Sequence, residues 1–304
     1  MEKRLTRTEM LFSLGFIFML IVAVAAFFVG VKVGAEKTEA RYVPGDKLNG
    51  EAELKVTAYQ QQDLVSFYHT VFLPYREFVV EWVAAIEKMK AGLSTEPSSQ
   101  LKELSALADK QYAEASQAAV SRVSPLLVES QTNVLKSLKL FAQAADRLEP
   151  EARSEGAAGT VALIGQDAYY RQGLELALTA QQQYYTAMLK WSSSLDPDLP
   201  ADFEATGIME LEAWKSLPLV VKNKLMADRL ARRKLLTAYY PQDLAARVDL
   251  FVSTGQAAKM RIKSIDAIVD LLIGTEAVRS GDFAANKARF YSKELLPQLP
   301  FFIS

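Results

Sequence analysis

From Met10 to Val31 the chain carries no charged residue, a run of 22 positions. As a helix rising ~1.5 Å per residue it would extend about 33 Å, enough to cross a hydrocarbon core of ~30 Å. Lipid offers the backbone no water, so such a run must bond internally, and a helix does so. Phe12, Phe16, Phe18, Phe27 and Phe28 suit lipid contact, and Lys3, Arg4, Arg7 and Lys32 flank the run. The pattern predicts a transmembrane signal anchor over 10–31, preceded by a short cytoplasmic tail over 1–9. Lys and Arg number three before the run and four in the flank after it (Lys32, Lys37, Arg41, Lys47), so the positive-inside count does not set the orientation. The short basic tail leading straight into the apolar run does: it predicts a cytoplasmic N-terminus and an extracytoplasmic bulk. A cleaved signal peptide is the rival, with Ala23-Val24-Ala25 or Val33-Gly34-Ala35 as the small-residue site. The second needs an apolar region well beyond the usual ~7–15 residues. Ala26, Gly30 and Gly34 recur every four residues and form a candidate transmembrane dimer face, since small residues let helices approach closely. Such residues are also common in membrane helices generally.

The rest of the chain reads as all-α. Pro44-Gly45 and Asn49-Gly50 mark 32–50 as a stalk. Over 51–92, Leu64, Tyr68, Phe72, Tyr75, Val79, Trp82, Ile86 and Met89 recur at threes and fours, the period of one helix face. Pro74 is expected to kink or split this helix. A second pattern runs over 98–148, with Pro125 dividing two stripes. Pro150 to Gly159 is the expected next break, and a third helix follows over 160–195. Helices of this length bury their stripes against one another, so 51–196 is predicted as a long antiparallel bundle. Asp196-Pro-Asp-Leu-Pro200 reads as a boundary. Beyond it, helices near 203–215, 218–237, 242–253, 256–273 and 282–295 predict a smaller subdomain over 199–304. The charge changes sign there, from 16 basic against 22 acidic residues in 36–198 to 15 against 12 in 199–304.

Composition removes several classes of function. Half the residues are hydrophobic and 23% charged, unlike a disordered chain. A net charge of -1 gives no basic footprint for nucleic acid, so no nucleic-acid partner is expected. With no cysteine and one histidine, thiol chemistry and multi-histidine metal sites are excluded. No phosphate-binding, metalloprotease or nucleophile-elbow motif occurs, so no cofactor, metal or catalytic residue is expected. His69 reads as a helix-surface histidine. Ser99-Gln-Leu-Lys102 matches a Ser-x-x-Lys pair only in two positions, and Ser99 is better read as a helix-start serine after Pro97. The acidic run Asp196, Asp198, Asp202, Glu204 lacks the spacing of a calcium loop, and Asp202 reads as a helix cap.

Two further groups are candidates for binding. Residues 215–234 hold seven basic residues against one acid, Asp228. At ~100° per residue, Lys222, Arg229 and Arg233 fall within about 40° of one another, a candidate stripe for docking on an anionic surface. The competing reading is a solvated face on which Asp228 pairs with Lys224 and Arg232. Tyr184, Tyr185 and Trp191 are candidate groove aromatics, against the reading that they pack the core edge. Together these features predict a single-pass, membrane-anchored interaction or scaffolding protein of a bacterial cell envelope. Its partners would be membrane lipid through 10–31, an envelope protein, and a second copy as homodimer. A ligand-sensing or regulatory protein working through a partner is the second reading, and an envelope hydrolase the third.

Overall fold

A computed structural model describes residues 58–303 apart from 206. The predicted anchor 10–31, its face Ala26, Gly30 and Gly34, and the stalk 32–50 lie outside the described residues. Among the described residues no helix is long and apolar enough to cross a membrane. Their regular secondary structure is all helix with no strand, only an isolated antiparallel bridge between Glu210 and Ser264.

The chain first makes α1 (Gln61–Phe67), a π-helical turn (Tyr68–Phe72) and α2 (Leu73–Lys90) in unbroken succession. Pro74 therefore does not split the helix. It lacks an N–H and would crowd the carbonyl four residues back. The wider π turn just before it absorbs the mismatch while Tyr68, Val71 and Phe72 stay buried. α3 (Pro97–Ser116) and α4 (Pro125–Gln166) follow, then α5 (Ala168–Leu195). The expected break at 150–159 is only partly a break. α4 runs through Pro150, which lies exposed, and its one non-helical residue is Gly156 at φ 67°. The chain reverses at Asp167, a single residue between helices, whose carboxylate accepts from the Tyr170 amide at 2.8 Å and pairs with Arg147.

Side-chain bonds fix the direction of packing. Ser130 bonds the Ala180 carbonyl, while Arg147 meets Asp167: as one number rises the other falls, so α4 and α5 are antiparallel. Tyr184 to Leu64 and Tyr75 to Ala177 show the same for α1–α2 against α5. Close approach is permitted by Gly173, where an added Cβ would stand 3.3 Å from the Leu140 Cβ. Phe78, Trp82, Phe141 and Tyr170 interlock between these helices with centroids 4.9–5.9 Å apart.

After α5 the elements shorten: α6 (Leu211–Lys215), α7 (Leu219–Arg232), α8 (Pro241–Ser253), α9 (Gln256–Lys259), α10 (Ile265–Gly274), α11 (Asp282–Phe290) and α12 (Pro300–Ile303). Residues 203–205 and 207–210 are not helical, so Asp202 caps no helix; its carboxylate accepts instead from the adjacent Phe203 amide. The expected helix 256–273 is two helices, because the chain turns left-handed at Arg261, φ 54°. The last long helix stops at Phe290, earlier than expected. α7 is buried at eleven of fourteen positions, which places it at the centre, against α5 on one side and α8 on the other. One hydrophobic core runs from Leu64 to Phe302 across the Asp196–Pro200 link, so the two halves share it.

Candidate functional site

The central helix α7 uses its cations inwardly. Lys222 is 7% exposed and places its ammonium 3.0 Å from both Asp249 oxygens. The same carboxylate accepts from Trp214 Nε1 at 2.7 Å and from the Tyr291 hydroxyl at 2.5 Å. Burial and the neighbouring Asp249 charge push the Tyr291 phenol well above its ordinary value. Arg229 is wholly buried and pairs with Asp266 at 3.0 Å; desolvation lowers its pKa while Asp266 opposes the shift. Arg233 reaches Asp270 at 2.6 Å. The docking stripe Lys222, Arg229, Arg233 is therefore corrected: α8 and α10 supply Asp249, Asp266 and Asp270, Lys222 and Arg229 are buried against the first two, and only Arg233, paired with the exposed Asp270, reaches the surface. Of the competing pairs, Lys224 does meet Asp228, at 2.8 Å. The groove aromatics are corrected as well. Tyr184, Tyr185 and Trp191 are 0%, 1% and 6% exposed. The two phenols bond the Leu64 carbonyl and the Gln242 amide oxygen, which makes them core residues with satisfied polar tips.

His69 lies exposed on the π turn, edge-on to the Tyr68 ring. Ser99 is not the helix cap. That position is Glu96, whose carboxylate accepts from the Ser99 hydroxyl at 3.2 Å. Among the described residues no group of three or more acidic or histidine side chains is placed to hold a metal.

The structure instead draws attention to Arg76 of α2. It is 3% exposed and, among the described residues, has no carboxylate partner. Its guanidinium donates to the carbonyls of Thr237 at 3.0 Å, Ala238 at 2.7 Å and Tyr239 at 3.5 Å, and stacks 4.6 Å from the Tyr240 ring. The segment 235–239 between α7 and α8 is thus pinned to a helix 160 residues earlier in the chain. Asp243, in the first turn of α8, secures the next step by accepting from the amides of Tyr240, Gly281 and Phe283. Burial raises its pKa, and those three amides restrain the rise.

Pinning this segment shapes a groove of about 810 Å³ between the end of α2, residues 235–239 and the end of α10. Val83, Leu236, Leu272 and Ile273 supply apolar wall, while Glu87, Lys90 and Glu276 stand at its rim. Glu276 occupies a left-handed position, φ 51°, immediately after α10. Glycine is the residue that adopts this conformation at least cost, so a carboxylate held there is a strained choice at a groove edge. None of these residues was singled out by sequence. One signal existed: Arg76 falls between Phe72 and Val79 at the spacing of the apolar stripe, where a cation must find buried partners.

No family model matches this chain, and neither curated proteins nor solved structures gave a match.

Proposed function

We propose that this chain is a membrane-tethered helical interaction module that holds a partner protein outside the cytoplasm, in a cell envelope. The observation that carries the reading is the groove of about 810 Å³. Sites that hold peptides and ligands combine apolar walls with a few placed polar groups at volumes of ~300–1,000 Å³, and this groove has both. The tether follows from the 22 uncharged residues at 10–31, long enough for a span. The inward use of the α7 cations favours a shaped groove over general adhesion to an anionic surface.

The absence of native cysteine makes a clean test possible. Ala91→Cys places one thiol at the groove and Gln143→Cys one on an exposed face of α4. Each is reacted in intact, outer-permeabilised cells with a membrane-impermeant maleimide carrying a photocrosslinker. The proposal expects both to label without lysis and a discrete protein adduct from position 91 alone. Labelling only after lysis would reverse the orientation. Equal adducts from both positions, or none, would remove the groove as the contact.

A further inference from the structure

The groove has a floor whose chemistry can be read. The carbonyls of Thr237 and Ala238 both accept from Arg76, at 3.0 and 2.7 Å, and the Ala238 carbonyl also accepts from the Ser280 hydroxyl at 3.3 Å. Those carbonyls belong to the same peptide units as the amides of Ala238 and Tyr239. No peptide bond here is cis. In a trans unit the N–H and C=O point in opposite directions, so both amides face away from the guanidinium. Neither makes a hydrogen bond among the described residues, although Tyr240, next in line, donates to Asp243. Residues 237–239 line the groove and Arg76 does not. The cation behind these peptide units draws electron density towards their oxygens and sharpens the positive end of each N–H, since hydrogen bonds in series polarise one another.

The rim selects what such donors could meet. At the rim two carboxylates, Glu87 and Glu276, stand against one ammonium, Lys90, while the Arg76 charge lies behind the floor and is taken up by the carbonyls it bonds, so a cation is favoured at the rim and a neutral carbonyl at the amides. The walls take apolar side chains. We propose that the groove binds a basic and apolar peptide segment, with its backbone carbonyl accepting from the amides of Ala238 and Tyr239 and its cationic side chain between Glu87 and Glu276. This rests on the interaction reading above and specifies its ligand.

The test uses the full chain in nanodiscs and a fluorescent peptide alternating valine and lysine, read by anisotropy. A matched valine–glutamate peptide should bind more weakly, and the lysine peptide should lose affinity with added salt. Glu87→Gln and Glu276→Gln should each weaken the lysine peptide about two- to fivefold, the range of an exposed ion pair. An ester in place of one peptide amide weakens that carbonyl as an acceptor. Moved along the peptide, it should cost about three- to tenfold at one position, the worth of one hydrogen bond. Ala238→Pro removes a donor that bonds nothing internally and should act similarly. If that variant unfolds on heating earlier than wild type, the ester series decides, because it leaves the protein unchanged. Equal binding of lysine and glutamate peptides, no binding of either, or an ester effect absent at every position would overturn the proposal. Adducts from position 91 persisting in that case would leave the interaction reading standing.

Discussion

The long-helix region, 61–195, and the short-helix region, 211–303, solve the same burial problem by different means. In the first, most ion pairs stay outside: Lys139 and Asp109 meet at 2.8 Å with side chains 48% and 53% exposed, and the buried carboxylate of Asp167, paired with Arg147 at the α4–α5 reversal, is the exception. The interior is aromatic and aliphatic, and long stripes bury enough apolar area to order it. In the second, charges go inside: the side chains of Lys222 and Asp249 are 9% and 11% exposed, and that of Arg229 is fully buried. Short helices offer less apolar face each and more unsatisfied ends. Their mutual placement is fixed by directional bonds, with Asp249 joining α6, α7 and the segment after α11, and Asp243 joining the start of α8 to the start of α11. The lesson is that packing area fixes long elements, while buried polar hubs fix short ones.

That contrast is open to direct attack. Asp249→Ala leaves Lys222 and two further donors without an acceptor and should cost about 3–5 kcal/mol, as for one partner removed from a buried pair. Urea unfolding followed by helical circular dichroism measures it. Lys110→Gln, which removes an exposed partner of Glu114, should change stability by less than about 0.5 kcal/mol. Similar losses from the two would erase the distinction. In the long region the corresponding vulnerability is volume. Phe141→Ala, emptying the space between Phe78, Trp82 and Tyr170, should cost about 3–5 kcal/mol. Gly173→Val would force α4 and α5 apart and should cost about 1–3 kcal/mol.

Helix ends sharpen the comparison further. α2 ends with Gly92 in the left-handed region, at φ 68°, whereas α7, α9 and α10 are followed by Lys234, Arg261 and Glu276 in that region. Arg261→Gly should therefore stabilise the chain by about 1 kcal/mol, read as a higher midpoint in the same urea titration. Lys234 is a poorer choice for this test because it also pairs with Glu175 at 2.5 Å.

The subtlest difference is in pH response. Burial raises the folded pKa of Asp243, so its contribution is fully present below the unfolded value of ~3.9 and is lost as pH rises through the folded one. The stability of wild type relative to Asp243→Asn should fall over that interval. Glu149, on α4, has its pKa lowered by the Ser98 hydroxyl and then by Arg153. Its contribution is present above the unfolded value of ~4.3 and is lost as pH falls through the folded one. Wild type relative to Glu149→Gln should change in the opposite sense. Parallel pH profiles for the two pairs would contradict these environments.

Much of the helix content was legible because apolar residues at threes and fours can be buried by a helix in only one way. The stripe from Leu64 to Met89 is buried at seven of its eight positions, and its exception, Ile86, is half-buried. Breaks were less legible. Pro150 marked a break but lies on an exposed face of α4, where helix continuity is maintained, whereas the reversal came at Asp167, which lacks proline or glycine. The basic run 215–234 misled for a related reason. Spacing places Lys222, Arg229 and Arg233 on one face, but nothing local says what that face meets.

The sequence by itself determined that the described part of the chain would be built of helices without strands and which side chains would seek the core, because both follow from the period of polarity along one chain. Tertiary structure alone decided the fate of the charges and the shape of the groove. Asp249, Asp266 and Asp270 lie 27 to 37 residues from the cations they neutralise, and Arg76 lies about 160 residues from the carbonyls it holds. Charge pairs less than a turn or so apart can be read along a helix; pairs across such distances exist only once packing has brought their helices together.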